Sequence, residues 1–273
     1  MKQIKLNINI KSKKYPIIIG NGISNNLSKI LVKNSISFNK CLFVVDSKIK
    51  KKIILKIVKN FKKKILYIFK ASEKNKNQKN VDKIINILLK NKFNRNDCLI
   101  SIGGGIIGDL SAYAASIFKR GLSYVSVPTT LLAQVDSSIG GKTGINSKYG
   151  KNLIGSFYQP KLVISDTRFL NSLSQKEIVC GYAEILKHAI IKDSHFFKWL
   201  KKNTKYIFKR KAKELAYAIK KSCQIKIYFV KKDVNEKGLR MILNFGHTFA
   251  HAIEAQKSFS KQITHGEAVL SGM

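Results

Sequence analysis

Two histidines in the stretch LNFGHTFAHAIEAQ, residues 243–256, are of a type and spacing that could perform chemistry. His247 and His251 are four residues apart in a segment predicted to be helical, so their side chains should share one face. Glu184 and His265, in GYAEILKHAI and THGEAV, complete a set of residue types that catalytic zinc sites use. From spacing alone, hydrogen-bonded helix residues are an equally good interpretation.

A second candidate site lies where a predicted strand runs into glycines, in DCLISIGGGIIGDL. Gly103, Gly105 and Gly108 fit the pattern G-x-G-x-x-G, in which a backbone without Cβ atoms approaches a pyrophosphate at a helix N-terminus. The pattern alone is weak, because the fingerprint normally occupies a first strand–helix unit and has an acid about 20 residues later. A tight turn for close packing is the alternative interpretation.

The glycine-rich stretch SSIGGKTGINSKYGKNLIG is a third candidate. It contains the sequence GKT, but Asp136 stands where a P-loop requires glycine, so a P-loop is excluded. Glycine, lysine and asparagine together suit a loop that binds an anionic or hydroxylated ligand, with Lys142 and Lys151 as its cations. The polar run SEKNKNQKN, residues 72–80, is predicted to be an exposed loop.

Short apolar segments alternate with amphipathic ones in the first part of the chain, which is typical of an α/β fold. The strand-like runs are YPIIIG, CLFVVD, ILYIF, DCLISIGGG, YVSVP and LVISD, and MKQIKLNINI alternates as a first strand does. Ser174 and Glu177 form a capping box that begins a helix ending near Lys192, and only helices are predicted after it. We therefore predict an α/β domain over residues 1–172 and an all-α domain over 173–273.

The chain carries a formal charge of +37, from 52 Lys and Arg against 15 Asp and Glu. Such a charge can indicate nucleic-acid binding, but the cations are mostly lysines spread among many Ile and Asn, residues with AT-rich codons. We interpret the charge as a result of genome base composition and expect no nucleic-acid partner; a basic binding module is the last alternative. No apolar run approaches the roughly 18 residues of a membrane span, and four separated cysteines predict reduced cytoplasmic thiols.

Taken together, several stretches resemble the 3-dehydroquinate synthase family of sugar phosphate cyclases. They are YPIIIGNG, GGGIIGDLSAYAASIFKRG, VPTTLLAQVDSSIGGKTGIN, GKNLIGSFYQP, GYAEILKHAIIKD, GLRMILNFGHTFAHAIE and HGEAVLSGM. The resemblance extends from residue 15 to Met273. It implies a Rossmann-like NAD-binding α/β domain followed by an all-α domain that binds metal and substrate.

The resemblance also implies an activity, the conversion of 3-deoxy-D-arabino-heptulosonate 7-phosphate, a phosphorylated sugar acid, to 3-dehydroquinate and phosphate in the shikimate pathway. NAD is used and regenerated within one site, and zinc, with cobalt as an alternative, acts as a Lewis acid. A cytoplasmic homodimer is implied as well. Because family members usually continue beyond the point that Met273 matches, a truncated, impaired homologue stays open, as do another sugar phosphate cyclase and a metal-dependent polyol dehydrogenase.

Matching residue by residue gives each candidate a role. The implied zinc ligands are Glu184, His247 and His265, which separates His247 from His251. The implied NAD contacts are Asp46, Glu73, Lys76, Gly105, Ile106, Ile107, Gly108, Asp109, Thr129, Thr130, Lys142 and Lys151. The implied substrate contacts are Arg120, Asp136, Lys142, Asn152, Lys187, Lys226, Arg240, Asn244 and His251. The cations suit a ligand that bears both phosphate and carboxylate. Lys48 departs from the asparagine that the family often has there, which weakens the contact assigned to Asp46.

Overall fold

The structure, a computed structural model, describes residues 3–10, 13–256 and 264–273, apart from the side chains of residues 251 and 254–256. Its strands and helices follow one another along the chain as β1 (Ile4–Ile10), β2 (Lys13–Gly20), α1 (Leu27–Lys33), β3 (Cys41–Asp46), α2 (Lys51–Val58), β4 (Lys64–Phe69), α3 (Gln78–Lys90), β5 (Cys98–Gly103), α4 (Gly105–Ile117), β6 (Ser123–Pro128), β7 (Lys142–Ser147), β8 (Gly150–Phe157), β9 (Leu162–Asp166), α5 (Gln175–Lys192), α6 (Ser194–Phe208), α7 (Ala212–Lys232), α8 (His247–Gln256) and α9 (His265–Gly272).

A seven-stranded sheet forms the first half of the molecule, in the order β1-β2-β9-β6-β5-β3-β4. Only the β1–β2 pair of this sheet is antiparallel. Helices α1 and α2 cover one face and α3 and α4 the other, so the central strands are buried on both sides and consist of continuous apolar runs. This confirms the α/β prediction and every strand-like run named above.

The helical second half packs on the β1–β2 end of the sheet. The side chains of β1 alternate as predicted, with Ile8 and Ile10 buried. They share an apolar cluster with Ile17 of β2 and with Leu215 and Ile219 of α7. The sheet and the helices therefore share one core, although the domain boundary near residue 172 stays a prediction.

The helix after the sheet begins as predicted. Ser174 and Glu177 form a complete capping box, since the Ser174 backbone N–H donates to the Glu177 carboxylate at 2.8 Å and the Glu177 N–H donates to Ser174 Oγ at 3.3 Å. α5 then ends at Lys192, as expected. Within the described residues, no helix is both long and apolar enough to cross a membrane.

Two segments differ from their predictions. The stretch predicted as a glycine-rich loop forms an antiparallel hairpin of β7 and β8, separate from the main sheet. The hairpin was not predicted because glycine is rare in strands. Here glycine is required, because a Cβ at Gly155 would collide with the Thr143 carbonyl oxygen on the paired strand. The polar run 72–80 is a short 3-10 turn leading into α3, and Lys76 and Asn80 are buried.

Two glycines let α5 approach its neighbours closely. A Cβ at Gly181 would lie 2.5 Å from the Leu131 Cβ and 2.6 Å from the Leu132 backbone nitrogen. A Cβ at Gly266, in α9, would collide with the Cα of Cys180 in α5. The backbone of α5 is therefore in direct contact with the segment after β6 and with the backbone of α9.

We expect Gly181→Ala to lower the free energy of unfolding by about 1–3 kcal/mol, as overpacking does, although alanine is the better helix former. The matched control is Gly108→Ala in α4, where an added Cβ meets only the Tyr124 hydroxyl at 3.8 Å. That change should stabilise by up to about 1 kcal/mol. Urea unfolding measures both variants, and changes of the same sign would contradict the close approach.

Candidate active site

The candidate site is a cleft between the sheet and the helical half. It lies where open α/β sheets bind ligands, at the carboxyl ends of parallel strands: β3 ends at Asp46, β5 ends at Gly103 and Thr129 follows β6. The cavity has a volume of about 560 Å³. Its lining includes six of the predicted site residues, Asp109, Asp136, Lys142, Asn152, Lys226 and Arg240.

The turn from β5 into α4 has the geometry that its glycine pattern requires. α4 begins at Gly105, directly after the strand. A Cβ at Gly104 would lie 3.1 Å from Thr130 Cγ2, and one at Gly105 would lie 3.2 Å from Ser137 Oγ. The backbone N–H groups of the first helical turn can therefore approach a pyrophosphate at the dipole's positive end.

Glu184, His247 and His265 come together although 81 residues of chain separate the first from the last (265 − 184). Their potential ligand atoms lie within 4.8 Å of one another, and the two imidazole rings are 5.2 Å apart. The Glu184 carboxylate is buried, forms an ion pair with Lys187 through Oε2, and has its Oε1 3.8 Å from His247 Nε2. The set fits a zinc site with one coordination position left for substrate.

The protonation states of this group also suit a metal. Burial, together with the charge of Lys187, lowers the pKa of His247 to about 4, so its imidazole is neutral at pH 7. Burial and the charge of Asp136 raise the pKa of Glu184, and Lys187 opposes them. Metals bind neutral imidazole and ionised carboxylate, so an ion bound here would lower the pKa of Glu184 again and displace its proton.

Buried cations line the cleft beside the metal ligands. Lys226 forms an ion pair with the Asp136 carboxylate and donates to the Asp136 carbonyl oxygen at 2.7 Å. Burial alone would raise the pKa of Asp136, but Lys226 and Lys187 hold it well below its ordinary value. Burial lowers the pKa of Lys226, and Asp136 opposes that shift. Asp136 therefore stays ionised and keeps an ammonium group charged in a buried position.

Arg240 is 2% exposed and is held by the backbone. Its guanidinium donates to the Val234 carbonyl oxygen at 2.7 Å and to the Gly140 carbonyl oxygen at 3.3 Å. The second of these bonds joins the helical half to the segment before β7. The guanidinium is thereby fixed at the wall of the cleft.

Glu236 is a site residue that the sequence analysis missed. Its carboxylate forms ion pairs with Lys142 and, at 3.7 Å, with Arg240, and accepts a hydrogen bond from Asn244 at 3.1 Å. All three partners were assigned to substrate. The sequence offered one indication of this role: Glu236 is an acid in a strongly basic chain and stands four residues before Arg240, a spacing that allows an ion pair.

His188 was missed too, although it follows Glu184 by one helical turn. It is fully buried, and its Nδ1 shares a hydrogen bond of 2.6 Å with Ser222 Oγ. Burial, with the charge of Lys187, lowers its pKa to about 3. Its spacing to Asp136 and Glu184 would also allow a metal, but in this set Asp136 pairs with Lys226 and His188 Nδ1 is bonded to Ser222.

Lys76 joins the predicted cofactor residue Asp109 to Asn152 of the hairpin by hydrogen bonds. Its buried ammonium donates to Asp109 Oδ2 at 2.5 Å and to Asn152 Oδ1 at 2.6 Å. Burial raises the pKa of Asp109 to about 6, although Lys76 opposes the shift. Thr130 lies beside the glycine turn and accepts from the Ala133 N–H at 3.2 Å. Lys76, which lies in a polar run, is therefore a buried link between a predicted cofactor residue, Asp109, and a predicted substrate residue, Asn152.

The remaining predicted residues lie around these groups. Asp46 accepts a hydrogen bond from the Lys48 N–H at 3.0 Å, Ile106 and Ile107 lie in the first turn of α4, and Lys151 is exposed on β8. Arg120 does not line the cleft: it is exposed in the turn between α4 and β6, with φ 61°. The side chain of His251 lies outside the described residues.

Comparison with known structures identifies the fold. The structure of 2-deoxy-scyllo-inosose synthase complexed with carbaglucose-6-phosphate, NAD+ and Co2+ matches with a TM-score of 0.91 at 25% identity, over 99% of this chain and 73% of that one. The 2-epi-5-epi-valiolone synthase of Streptomyces hygroscopicus subsp. jinggangensis 5008, with NAD+ and Zn2+ bound, matches with a TM-score of 0.86 at 25% identity, over 97% and 74%.

Comparison of sequences is more specific. Models of the 3-dehydroquinate synthase N-terminal and C-terminal parts match residues 66–180 and 181–273. The 3-dehydroquinate synthase of Pelagibacter ubique (strain HTCC1062) is 58% identical over 275 aligned residues, which cover 100% of this chain and 75% of that protein.

The fold and the site together define a sugar phosphate cyclase. Within that class, the family models and the level of identity settle the assignment: the chain belongs to the 3-dehydroquinate synthase family.

The charge of Lys142 predicts how anion binding depends on pH. Burial, with the charges of Arg240 and Lys226, lowers its pKa to about 8. The neutral form therefore increases as pH rises through that value. We expect affinity for inorganic phosphate, measured by calorimetry, to fall about tenfold from about pH 7.5 to about pH 10, because a charge-assisted hydrogen bond is lost.

Lys142→Arg is the matched variant, because arginine stays charged over this range. Its affinity for phosphate should change little with pH. An equal fall in both proteins would mean that another group titrates.

Proposed function

We propose that this chain catalyses the reaction of its family, the conversion of 3-deoxy-D-arabino-heptulosonate 7-phosphate to 3-dehydroquinate and phosphate in the shikimate pathway. The observation that carries the proposal is the convergence of Glu184, His247 and His265 beside the buried cations Lys226 and Arg240. A metal site next to fixed cations suits a substrate that has hydroxyl groups to polarise and two anionic groups to bind.

Glu184, His247 and His265 would hold zinc, with cobalt as the alternative, and the turn from Gly105 to Asp109 would hold the pyrophosphate of NAD. The two relatives with bound NAD+ and Co2+ or Zn2+ support both assignments, as does the fit of the residues. When bound, these groups would supply Lewis acidity and reversible hydride transfer.

The cofactor contacts follow the carboxyl edge of the sheet. We assign Asp46, Glu73 and Lys76 to the adenosine end, and Ile106, Ile107, Gly108, Thr129, Thr130 and Lys151 to the path from the pyrophosphate onward. Their placement at the ends of β3, β4, β5 and β6 and on the hairpin supports this course.

The substrate would be held chiefly by charge. Lys142, Lys187, Lys226 and Arg240 would bind its phosphate and carboxylate, while Asn152, Asn244 and His251 would orient it. Asp136 keeps Lys226 charged in a buried position. A flexible open-chain sugar acid that must close into a ring gains most from such positioning. Glu236, which forms ion pairs with Lys142 and Arg240, would be displaced from these cations by the substrate anion.

A homodimer in the cytoplasm completes the proposal. The hairpin exposes large apolar side chains, with Tyr149 80%, Leu153 64% and Phe157 45% exposed, as surfaces for association do. Cys41, Cys98 and Cys223 are buried thiols outside any disulfide, which suits a reducing compartment. Light scattering should give twice the mass of one chain, and a monomer at micromolar concentration would contradict the dimer.

The direct test is to incubate purified protein with the heptulosonate phosphate, NAD and zinc, and to measure phosphate and dehydroquinate together. We expect both products in equal amounts, since each turnover releases one of each. Removal of zinc by a chelator should abolish both, and added zinc should restore them. Absence of both products from folded, zinc-loaded protein would contradict the proposed function.

His247→Ala is the matched variant for this test, and the exposed His195→Ala is its control. The first should lose zinc and at least about 1000-fold in turnover, because catalysis loses its Lewis acid. The second should keep both. Metal content by mass spectrometry checks the cause, and full zinc content in His247→Ala would show that the ligand was assigned wrongly.

A further inference from the structure

Asn146, to which no role was assigned above, joins the hairpin β7–β8 to the Glu73 turn, residues 73–76. Its backbone N–H donates to the Lys76 carbonyl oxygen at 2.8 Å. Its side-chain Nδ2 donates to the Glu73 carboxylate at 2.9 Å and to the Glu73 carbonyl oxygen at 3.1 Å. One asparagine therefore binds both ends of the turn assigned to the adenosine end of NAD.

The other side of the Asn146 amide holds the substrate end of the hairpin. Asn146 Oδ1 accepts from the Asn152 backbone N–H at 3.0 Å. Asn152 has a φ of 57°, in the left-handed region that asparagine adopts more readily than most residues with a side chain. The bond to Asn146 thus holds the backbone at the position where Asn152 faces the cleft.

The same turn fixes the orientation of the Asn152 side chain. The Lys76 ammonium can only donate, so the Asn152 amide must offer it Oδ1, which it does at 2.6 Å. The Nδ2 donors of Asn152 are then left for other partners, and Asn152 lines the cleft. These donors suit an anionic oxygen of the substrate.

The hairpin depends on such links because it has little core of its own. It consists of two strands outside the main sheet, and β8 is mostly exposed. An isolated two-stranded hairpin is at best marginally stable in water. Its described anchors include the packing of β7 on α4, with Ile145 in that core, the bond from Ser156 Oγ to Ser116 Oγ at 2.9 Å, the ion pair of Lys142 with Glu236, and the bonds to the Glu73 turn. A ligand that orders the turn should therefore order the hairpin.

We propose that Asn146 is a positioning residue that couples the two sites: NAD bound at the Glu73 turn orders the hairpin through Asn146 and so presents the Asn152 donors to the substrate anion. The proposal rests on the proposed function and uses the same site. If NAD has already ordered the hairpin, the substrate anion binds without the entropy cost of ordering it. The binding of NAD and the binding of the anion then strengthen each other.

Hydrogen–deuterium exchange on zinc-loaded protein tests this coupling, with NAD as the only added ligand. NAD should slow amide exchange in β8 by about 5-fold or more in the unaltered protein, the lower bound of ordinary coupling. The effect should be smaller in Asn146→Ala, which loses the side-chain bonds to Glu73 and Asn152 and keeps the backbone bond to Lys76 and the bond from Lys76 to Asn152. Ser147→Ala is the matched control, because it removes a bond within the hairpin, from the Tyr149 N–H at 3.1 Å, and none to the turn. It should keep the effect.

Linkage supplies a second readout. Saturating inorganic phosphate should tighten NAD binding more in the unaltered protein and in Ser147→Ala than in Asn146→Ala. If Asn146→Ala does not fold, Asn146→Asp replaces it, since an aspartate keeps the acceptor for Asn152 and loses the donor to Glu73.

Each outcome decides between the two ideas. NAD that binds without slowing exchange in β8, or that slows it equally in the Asn146 variants, would overturn the coupling and leave the catalytic proposal intact. Failure of NAD to bind at all would overturn both.

Discussion

Burial of several cations in one cleft is the constraint on which the rest of this structure depends. Lys187, Lys226 and Arg240 are almost wholly buried, and a buried charge is tolerated only with a partner. Their acidic partners, Glu184, Asp136 and Glu236, come from α5, from the turn after β6 and from the segment after α7. The first and third of these pairs lie within one segment each, whereas Lys226 of α7 pairs with Asp136 of the segment after β6. The sheet and α7 must therefore keep one relative position, because a shift of either would leave the Lys226 ammonium buried without its partner.

Sequence patterns predicted the elements of this fold well and the hairpin badly. Buried parallel strands consist of uninterrupted apolar runs and α5 has its capping box, so both are locally encoded. The strands β7 and β8 lack alternation, and glycines occur where the two backbones come together. Lys76 in a polar run looked exposed, because the partners that allow its burial, Asp109 and Asn152, are distant in sequence.

The candidate site was predictable as a set of residues and not as a geometry. Helical spacing placed His247 and His251 on one face, but only the family motif separated their roles. Whether Glu184 reaches His247 and His265 depends on how α5, α8 and α9 pack, which no local pattern states. Glu236 was not predicted as a site residue because its role depends on its ion pairs with Lys142 and Arg240. The sequence does not show that Lys142 lies beside this acid in the fold.

The contact between Gly266 and Cys180 sets the separation of two proposed metal ligands. His265 precedes this glycine and Glu184 follows Cys180 by one helical turn, so the two proposed ligands are spaced by a backbone-to-backbone contact. Side chains in a core can repack around a substitution, whereas two touching backbones have no such freedom. The separation of the two backbones that carry Glu184 and His265 is therefore insensitive to substitutions among the surrounding apolar residues.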